Sequence, residues 1–458
     1  MLQQGQMTMA EIPETSGRAL VLGLGQTGAS IAAWLAGRNR AALFADSRNE
    51  PAGLDQAREL MPDADFITGD IPALLPEDVT EILVSPGLSM DLPVIAAALE
   101  RGIPVRSDID LFMEACQGKV LGITGSNGKS TVTALTECML NAAGARAAAG
   151  GNIGKPALEL LNIDADIFVL ELSSFQLERS TELPLHASVV LNVSPDHLDH
   201  HGDIKHYADA KARIYKRCGT AVVNRDEAAL ADMVPPGTKE IGFGTGLPSS
   251  TDWGVIDCDD GQWIARGTFA VMPVESLRLQ GRHNLANALA AFALSDSLSD
   301  AIDLPLDGLV AGAQIFAGLP HRMQLVAEHR GVYWIDDSKA TNEGAAIASI
   351  TAIAGPLILI AGGDAKGGDM QLLTAELAGR DVRVIALGKD KGLIEACLKG
   401  VCETVSVGSM EEAVSVAAGL AREGDTVLLA PACSSLDMFS NFAERGECFA
   451  QAVRELHS

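Results

Sequence analysis

The stretch Val120 to Thr131, Val-Leu-Gly-Ile-Thr-Gly-Ser-Asn-Gly-Lys-Ser-Thr, constrains the fold of this chain more than any other. Its apolar run, Val120 to Ile123, reads as a buried parallel strand. The chain then breaks into a glycine-punctuated loop, Thr124 to Lys129, and the pattern predicts a helix from about Ser130. Strand, loop and helix in that order form a phosphate cradle. Gly125 and Gly128 lack a Cβ, so backbone N–H groups of the loop, Ser126 and Asn127 included, can close around phosphate oxygens. The helix N-terminus adds a partial positive charge. Lys129 can reach the terminal phosphates, and the hydroxyls of Ser130 and Thr131 can reach a phosphate-bound Mg2+. The common form of this loop has glycine where Ile123 stands, so this is a variant, Thr-Gly-Ser-Asn-Gly-Lys-Ser. A plain glycine-rich turn is the alternative, and the strand and helix on either side favour an ATP site.

Upstream, Ala19 to Leu22 reads as a strand leading into Gly23-x-Gly25-x-x-Gly28, a helix, and a second strand from Ala41 to Ala45 that ends in Asp46. An acidic residue about 20 positions beyond such a fingerprint suits a ribose hydroxyl, which suggests an NAD-dependent oxidoreductase. The helix N-terminus can equally hold any nucleotide diphosphate, and Arg48 can serve a phosphate. Ile82 to Gly87 is a strand ending in a Pro-Gly turn at the ligand-binding edge of such sheets. The β-α alternation to about Ser107 makes one doubly wound unit.

Beyond the cradle helix, which is expected to run to about Ala143 and stop at Gly144, comes a second glycine loop, Gly150 to Gly154. The strand Ile167 to Ser174 delivers Glu171 into apolar surroundings. That carboxylate requires a partner, either Mg2+ or a buried Arg. Ser194 to His201 holds three His and two Asp within Asp196–His201. With no Cys partner or helical His pair, a single His serving a phosphate-linked Mg2+ fits better than structural zinc. Lys211 lies in a helical pattern and reads, by composition, as a solvated surface lysine. Trp253 to Asp257 and Trp263 to Arg266 flank Asp260-Gly261, a hairpin signal. Asn284 and Asn287 share a helical face and either read a nucleobase or merely start the helix.

Gly318 to Arg322 reads as a linker into a third unit, with strands at Val332 to Ile335, Leu357 to Ala361, Val382 to Leu387 and Val427 to Ala430. Alternation with helical patterns predicts a second open parallel sheet. Its strand-end loops carry Lys339, Lys366, Ser434 and Ser435, which either converge on an acidic small molecule or are surface loops.

Composition sets the outer limits. At 458 residues the chain exceeds one core, and roughly three domains are expected. A net charge of −26 argues against general nucleic-acid or anionic-membrane binding, so an anionic substrate must be held by local Lys, Arg and helix N-termini. Eight scattered cysteines without a Cys-x-x-Cys pair fit reduced thiols in a cytoplasm. Met1 to Arg18 is polar and is not expected to be a signal peptide. No apolar run reaches the ~20 residues of a membrane span.

Eight motifs in order resemble the Mur ligase family over essentially the whole chain. They are Gly122 to Thr131, Gly151 to Gly154, Glu171 to Gln176, Asn192-x-x-x-Asp-His197, Arg282 to Asn284, Leu319 to Arg322, Asp337 to Asn342, and Pro431 to Asp437. The third-unit loops resemble the branch that adds D-glutamate to UDP-N-acetylmuramoyl-L-alanine in peptidoglycan precursor synthesis. A sister ligase for another amino acid should lack those loops, and a folylpolyglutamate synthase should lack the first unit. The resemblance implies three α/β domains. Residues 1–107 form a Rossmann-like domain for the UDP moiety. Residues 108–318 form a P-loop ATPase-like domain, with a parallel sheet plus a small antiparallel sheet. Residues 319–458 form a Rossmann-like domain for the amino acid. It also implies a soluble, monomeric cytoplasmic enzyme acting on small molecules, with ATP and Mg2+ as cofactors. The substrate carboxylate would take the γ-phosphoryl group to give an acyl phosphate, which the D-glutamate amine attacks through a tetrahedral intermediate.

Residue by residue, the resemblance gives Lys129 the transferring phosphoryl group. It gives Ser130 and Glu171 to one Mg2+ and His197 to a second, with Lys211 carbamylated and so converted from a cation to a metal ligand. It assigns Asn284, Asn287, Arg322 and Asp337 to the nucleotide. Gln26, Thr27, Ser47, Arg48, Gly87 and Asn152 go to the UDP-muramoyl substrate, and Thr341, Lys366, Ser435 and Phe442 to D-glutamate, with Lys339 beside them.

Overall fold

The computed structural model describes residues 17–279, 281–366 and 368–456, without the side chain of Asp199. The polar N-terminal stretch before Gly17, and Gly367 of the Lys366 loop, lie outside the described residues. The chain groups into two compact units. The first comprises residues up to Cys116 together with Lys155–Ile163 and Phe175–Thr181, and the second comprises the rest.

In the first unit the buried apolar runs form five parallel strands. They are β1 (Arg18–Leu22), β2 (Ala42–Asp46), β3 (Asp65–Thr68), β4 (Val79–Val84) and β5 (Val105–Arg106), in the order β3-β2-β1-β4-β5. The reversal of direction beside β1 places a switch point at the carboxyl ends of β1 and β4, where such sheets bind ligands. Ser107 starts the helix Asp108–Ala115 with a full capping box, its hydroxyl accepting from the Asp110 N–H and the Asp110 carboxylate accepting from the Ser107 N–H. The other Asp110 oxygen, Oδ1, accepts from the N–H and hydroxyl of Thr181, which ties the segment Phe175–Thr181 to this unit.

The second unit holds two sheets. The larger has nine strands: β6 (Lys119–Thr124), β7 (Ala147–Gly151), β8 (Ile167–Glu171), β9 (Ala187–Val190), β10 (Thr220–Asn224), β11 (Lys239–Phe243), β12 (Trp253–Cys258), β13 (Gly261–Arg266) and β14 (Phe269–Pro273). Their order is β14-β13-β12-β11-β10-β9-β6-β8-β7. The antiparallel strands β12 to β14 do not form a sheet of their own. They continue the parallel sheet through the pairing of Phe243 with Trp253. The hairpin turn falls one residue earlier than the Asp-Gly signal suggests, because Gly261 already pairs with Cys258.

The cradle helix, Lys129–Ala142, begins one residue earlier than expected, with Gly144 just beyond its Ala143 cap at φ 89°. Val132, Leu135, Met139 and Leu140 fall at helical spacing and are fully buried in the central core. Each contributes about 1.5–3 kcal/mol by leaving water, which anchors the helix and so fixes the loop before it.

The smaller sheet has six strands, β15 (Gln324–His329), β16 (Val332–Asp336), β17 (Leu357–Gly362), β18 (Val382–Leu387), β19 (Glu403–Ser406) and β20 (Thr426–Leu429). Their order is β15-β16-β20-β17-β18-β19. Four correspond to the predicted strands. The edges β15 and β19 lack a continuous apolar run, and β15 is antiparallel, so the sheet is mixed. Both faces are buried, which places the ligand-binding potential in the loops at the strand ends.

Candidate functional site

In the first unit, Gln26 and Thr27 open the helix Gln26–Ala36, Ser47 and Arg48 follow β2, and Gly87 follows β4. All five lie beyond the carboxyl ends of the parallel strands. Asp46 is committed within the fold. Its Oδ2 accepts from the Leu24 N–H at 2.7 Å and the Arg48 Nη2 at 2.7 Å, and its Oδ1 accepts from the Arg48 N–H and Nε, both at 2.9 Å. The Arg48 hydrogen bonds pull the carboxyl down to about 2. An Asp used in this way braces the glycine turn, and a ribose hydroxyl would have to displace those donors. The dinucleotide interpretation therefore loses the acidic residue it needs.

In the second unit the cradle is held open by its neighbours. Gly128 has φ 85°, and a Cβ there would come within 2.5 Å of Asn287 Oδ1. The Asn192 side chain brackets the loop from the end of β9, accepting from the Asn127 N–H at 2.8 Å and donating to the Asn127 carbonyl at 3.0 Å. Ser126 Oγ donates to the Ser194 carbonyl at 2.9 Å and accepts from the Ser194 N–H at 2.9 Å. Two lysines converge on one loop carbonyl. Lys129 Nζ donates to the Gly125 and Ser126 carbonyls at 2.9 and 2.8 Å, and Lys211 Nζ donates to the Gly125 carbonyl at 2.8 Å.

Lys211 overturns the reading from composition. It is 1% exposed, with Nζ 4.3 Å from the centre of the Tyr207 ring. Burial first, and the Lys129 charge second, push its amine well below the usual lysine value. Such an amine has an available lone pair, the form that adds CO2. Burial likewise lowers Lys129.

Glu171 closes β8 at 3% exposure. Its Oε1 accepts from Asn152 Nδ2 at 2.8 Å, so Asn152 faces the carboxylate directly. Its Oε2 is buried and has no hydrogen-bond partner among the described residues. A buried carboxylate oxygen left in that state, beside a glycine cradle carrying the Ser130 and Thr131 hydroxyls, fits a divalent cation. His197 follows in the left-handed region at φ 53°, with its side chain 47% exposed. His201, in contrast, is buried, with Nε2 3.0 Å from Ser174 Oγ.

The strand-end loops of the smaller sheet join the same site. Arg322 Nη2 donates to Ser130 Oγ at 2.7 Å, and the Asn342 amide donates to Asp196 Oδ2 at 3.3 Å. Asp337 is buried and accepts from Ser349 Oγ and the Met323 N–H, and burial raises its carboxyl to about 6. Lys339 Nζ sits 4.3 Å from the centre of the Phe442 ring, and burial, then the charges of Arg322 and Lys129, lower its amine to about 8. Asn284 and Asn287 are bonded to each other at 3.1 Å and buried next to Gly128. Ser435 is buried, Thr341 and Phe442 are half-buried, and Lys366 is exposed at φ 47°.

The structure adds Asn192, Ser194 and Tyr207 to the cradle, and no role was readable for them in sequence. Only the Asn192-x-x-x-Asp-His spacing marked the first.

Three family models match in order: Mur ligase MurD-like N-terminal domain over residues 17–107, Mur ligase middle domain over 123–295, and Mur ligase glutamate ligase domain over 321–433. The chain is 45% identical to the UDP-N-acetylmuramoylalanine--D-glutamate ligase of Nitrosococcus oceani, covering 97% of this chain and 98% of that one. It is 43% identical to the protein of the same name from Pseudomonas aeruginosa, covering 95% and 98%. Among solved structures it is similar in fold to the UDP-N-acetylmuramate-alanine ligase of Thermotoga maritima, with TM-score 0.61 and 17% identity over 96% of this chain and 100% of that one. It is also similar to the bifunctional folylpolyglutamate synthase/dihydrofolate synthase of Yersinia pestis, with TM-score 0.58 and 20% identity over 77% of this chain and 93% of that one. That solved chain aligns with a smaller share of this one, whereas a MurD-like N-terminal model matches the first sheet here. With its cradle, its three sheets and relatives at this identity over almost its full length, the chain belongs to the Mur ligase family.

Proposed function

We propose that this chain joins D-glutamate to UDP-N-acetylmuramoyl-L-alanine in an ATP-dependent, ADP-forming amide ligation that serves peptidoglycan precursor synthesis. The observation that carries this reading is 45% identity, over 97% of the chain, to a relative bearing that activity in its name. A carboxylate is a poor acylating group, and phosphorylation supplies it with a leaving group. The protein's tasks are therefore to position the reactants and neutralise charge.

In this reading residues 1–107 hold the UDP moiety through Gln26, Thr27, Ser47, Arg48 and Gly87, with Asn152 also assigned to that substrate. Residues 108–318 hold ATP and residues 319–458 the amino acid. The cradle amides from Gly125 to Gly128 take the phosphates, and Lys129 leaves the Gly125 and Ser126 carbonyls to meet the transferring phosphoryl group. Asn284, Asn287, Arg322 and Asp337 orient the nucleotide. Ser130, Glu171, His197 and a carbamylated Lys211 would hold Mg2+, which would neutralise phosphate charge when bound. Thr341, Lys366, Ser435 and Phe442 receive D-glutamate, with Lys339 beside them. The Mg2+ assignment draws support from the partnerless Glu171 Oε2. Carbamylation draws support from the burial of Lys211. No helix among the described residues is long and apolar enough to cross a membrane. We place the reaction in the cytoplasm, with a monomeric enzyme.

The test is phosphate release from Mg-ATP and UDP-N-acetylmuramoyl-L-alanine while scanning D-glutamate, L-glutamate, L-alanine and L-lysine. Release that depends on D-glutamate is expected. Release with another amino acid would keep the ligase and overturn the pocket assignment.

A further inference from the structure

We propose that the Glu343 carboxylate receives the ammonium group of the incoming amino acid and takes its proton before the new C–N bond forms. This inference rests on the ligase reading above and adds a residue that no motif marked.

Glu343 is the first residue of the helix Glu343–Thr351, whose N-cap Asn342 accepts from the Ala345 N–H at 2.9 Å. That helix start lies between the two halves of the chemistry. On one side the Asn342 amide reaches Asp196, and a Cβ on Gly344 would lie 3.4 Å from Ser194 Oγ and 3.5 Å from Asn127 Nδ2 of the phosphate cradle. On the other side Glu343 Oε1 rests against Gly368, in the loop that carries Lys366, so closely that a side chain there would strike it. The Glu343 charge also reaches the Cys433 thiol, two positions before Ser435. The carboxylate therefore sits where an amino acid held by Lys366 and Ser435 would turn its amine toward the activated carboxyl group.

One of the two carboxylate oxygens also lacks a partner. Glu343 is 8% exposed, and its Oε1 is buried with no hydrogen-bond partner among the described residues. Its charged neighbours are carboxylates. Burial first, then Asp196 and Asp369, hold its carboxyl above the ordinary carboxylate range, offset in part by its own N–H. A buried carboxylate among like charges is stabilised by a cation or by protonation. A bound ammonium supplies both in turn.

The chemistry balances. At neutral pH an amino acid carries an ammonium group, which has no lone pair to attack with. Its N–H bond breaks, the proton passes to a Glu343 oxygen, and the freed lone pair forms the C–N bond at the acyl carbon. The bond from that carbon to the phosphoryl oxygen breaks, phosphate leaves with the electron pair, and the departing phosphate takes the second proton that the nitrogen sheds in becoming an amide.

The test compares full-length wild type with Glu343→Gln and Glu343→Asp, using two nucleophiles. D-glutamate must be deprotonated, whereas hydroxylamine is already neutral at assay pH and traps the activated carboxylate without a base. For Glu343→Gln, kcat/KM for D-glutamate should fall about 100-fold, with KM for ATP unchanged and hydroxylamine trapping at the wild-type rate. Glu343→Asp should recover part of the loss. Unchanged D-glutamate kinetics in Glu343→Gln beside an active wild type would overturn this inference alone. So would an equal loss of both reactions, since that marks a structural role. Hydroxylamine trapping without any D-glutamate reaction in the wild type would overturn the substrate reading and this inference with it.

Discussion

Replacing Gly128 by alanine tests the cradle at its tightest point. The residue has φ 85°, in the left-handed region, where an L side chain costs about 1–2 kcal/mol. The added Cβ would also stand 2.5 Å from Asn287 Oδ1 and 3.3 Å from Asn287 Cγ, so the amide must swing away. That movement breaks the 3.1 Å bond from Asn287 Nδ2 to Asn284 Oδ1, worth about 1 kcal/mol. Together the cost is about 2–3 kcal/mol, or roughly 4–12 °C in the melting transition of the unit that carries the loop. Gly144 supplies the control. Its φ is 89°, yet a Cβ there meets nothing within 4 Å, so Gly144→Ala costs only the backbone strain. The two variants should therefore differ by about 1 kcal/mol, roughly 2–4 °C by calorimetry. Gly128→Ala should in addition raise KM for ATP in the phosphate-release assay, and Gly144→Ala should leave it unchanged. If Gly128→Ala melts no lower than Gly144→Ala, the steric argument through Asn287 is refuted.

Two further outcomes follow from the buried charges. Lys211→Ala should lose activity, with partial recovery in short-chain carboxylates that stand in for a carbamate, and full activity without them would end the carbamate assignment. Asp46, whose carboxyl lies at about 2 against an ordinary 3.8, adds stability that is present above pH ~4 and is lost as pH falls through that window. The full linkage would be worth about 2.5 kcal/mol. Because the Arg48 side chain is 57% exposed, screening leaves about 1 kcal/mol. Urea denaturation at pH 3 and pH 6 should show roughly half of this difference in wild type, because pH 3 lies midway through the window, and lose it in Asp46→Asn; an equal pH dependence in both would contradict it.

How far the site could be read in sequence depended on the distance between its partners. The cradle was legible because its strand, glycines, Lys129 and helix start are consecutive, and backbone geometry over so short a span follows from residue type. Four strands of the smaller sheet were legible as apolar runs, whereas the edges β15 and β19 were not, because an edge strand buries too little to require such a run. Glu171 was legible as a carboxylate in an apolar strand, but its Asn152 partner was not. Asp46 shows the opposite case. Its spacing from the glycines was clear, yet which donors reached it was settled by the packing of the β1 loop and Arg48 around it.

The sequence by itself determined the local chemistry: the phosphate loop, the alternation of strands and helices, and the ordered motifs that mark the family. Only the tertiary structure decided which charges are buried and what they face. Lys211 and Glu343 look like surface residues in any window of sequence. The first faces the Gly125 carbonyl, and the second lies between the cradle and the Lys366 loop, because strands far apart in the chain end at the same edge of their sheets. Desolvation and electrostatic fields depend on distance in space, and contacts such as Arg322 to Ser130, separated by 192 positions, have no counterpart in sequence spacing.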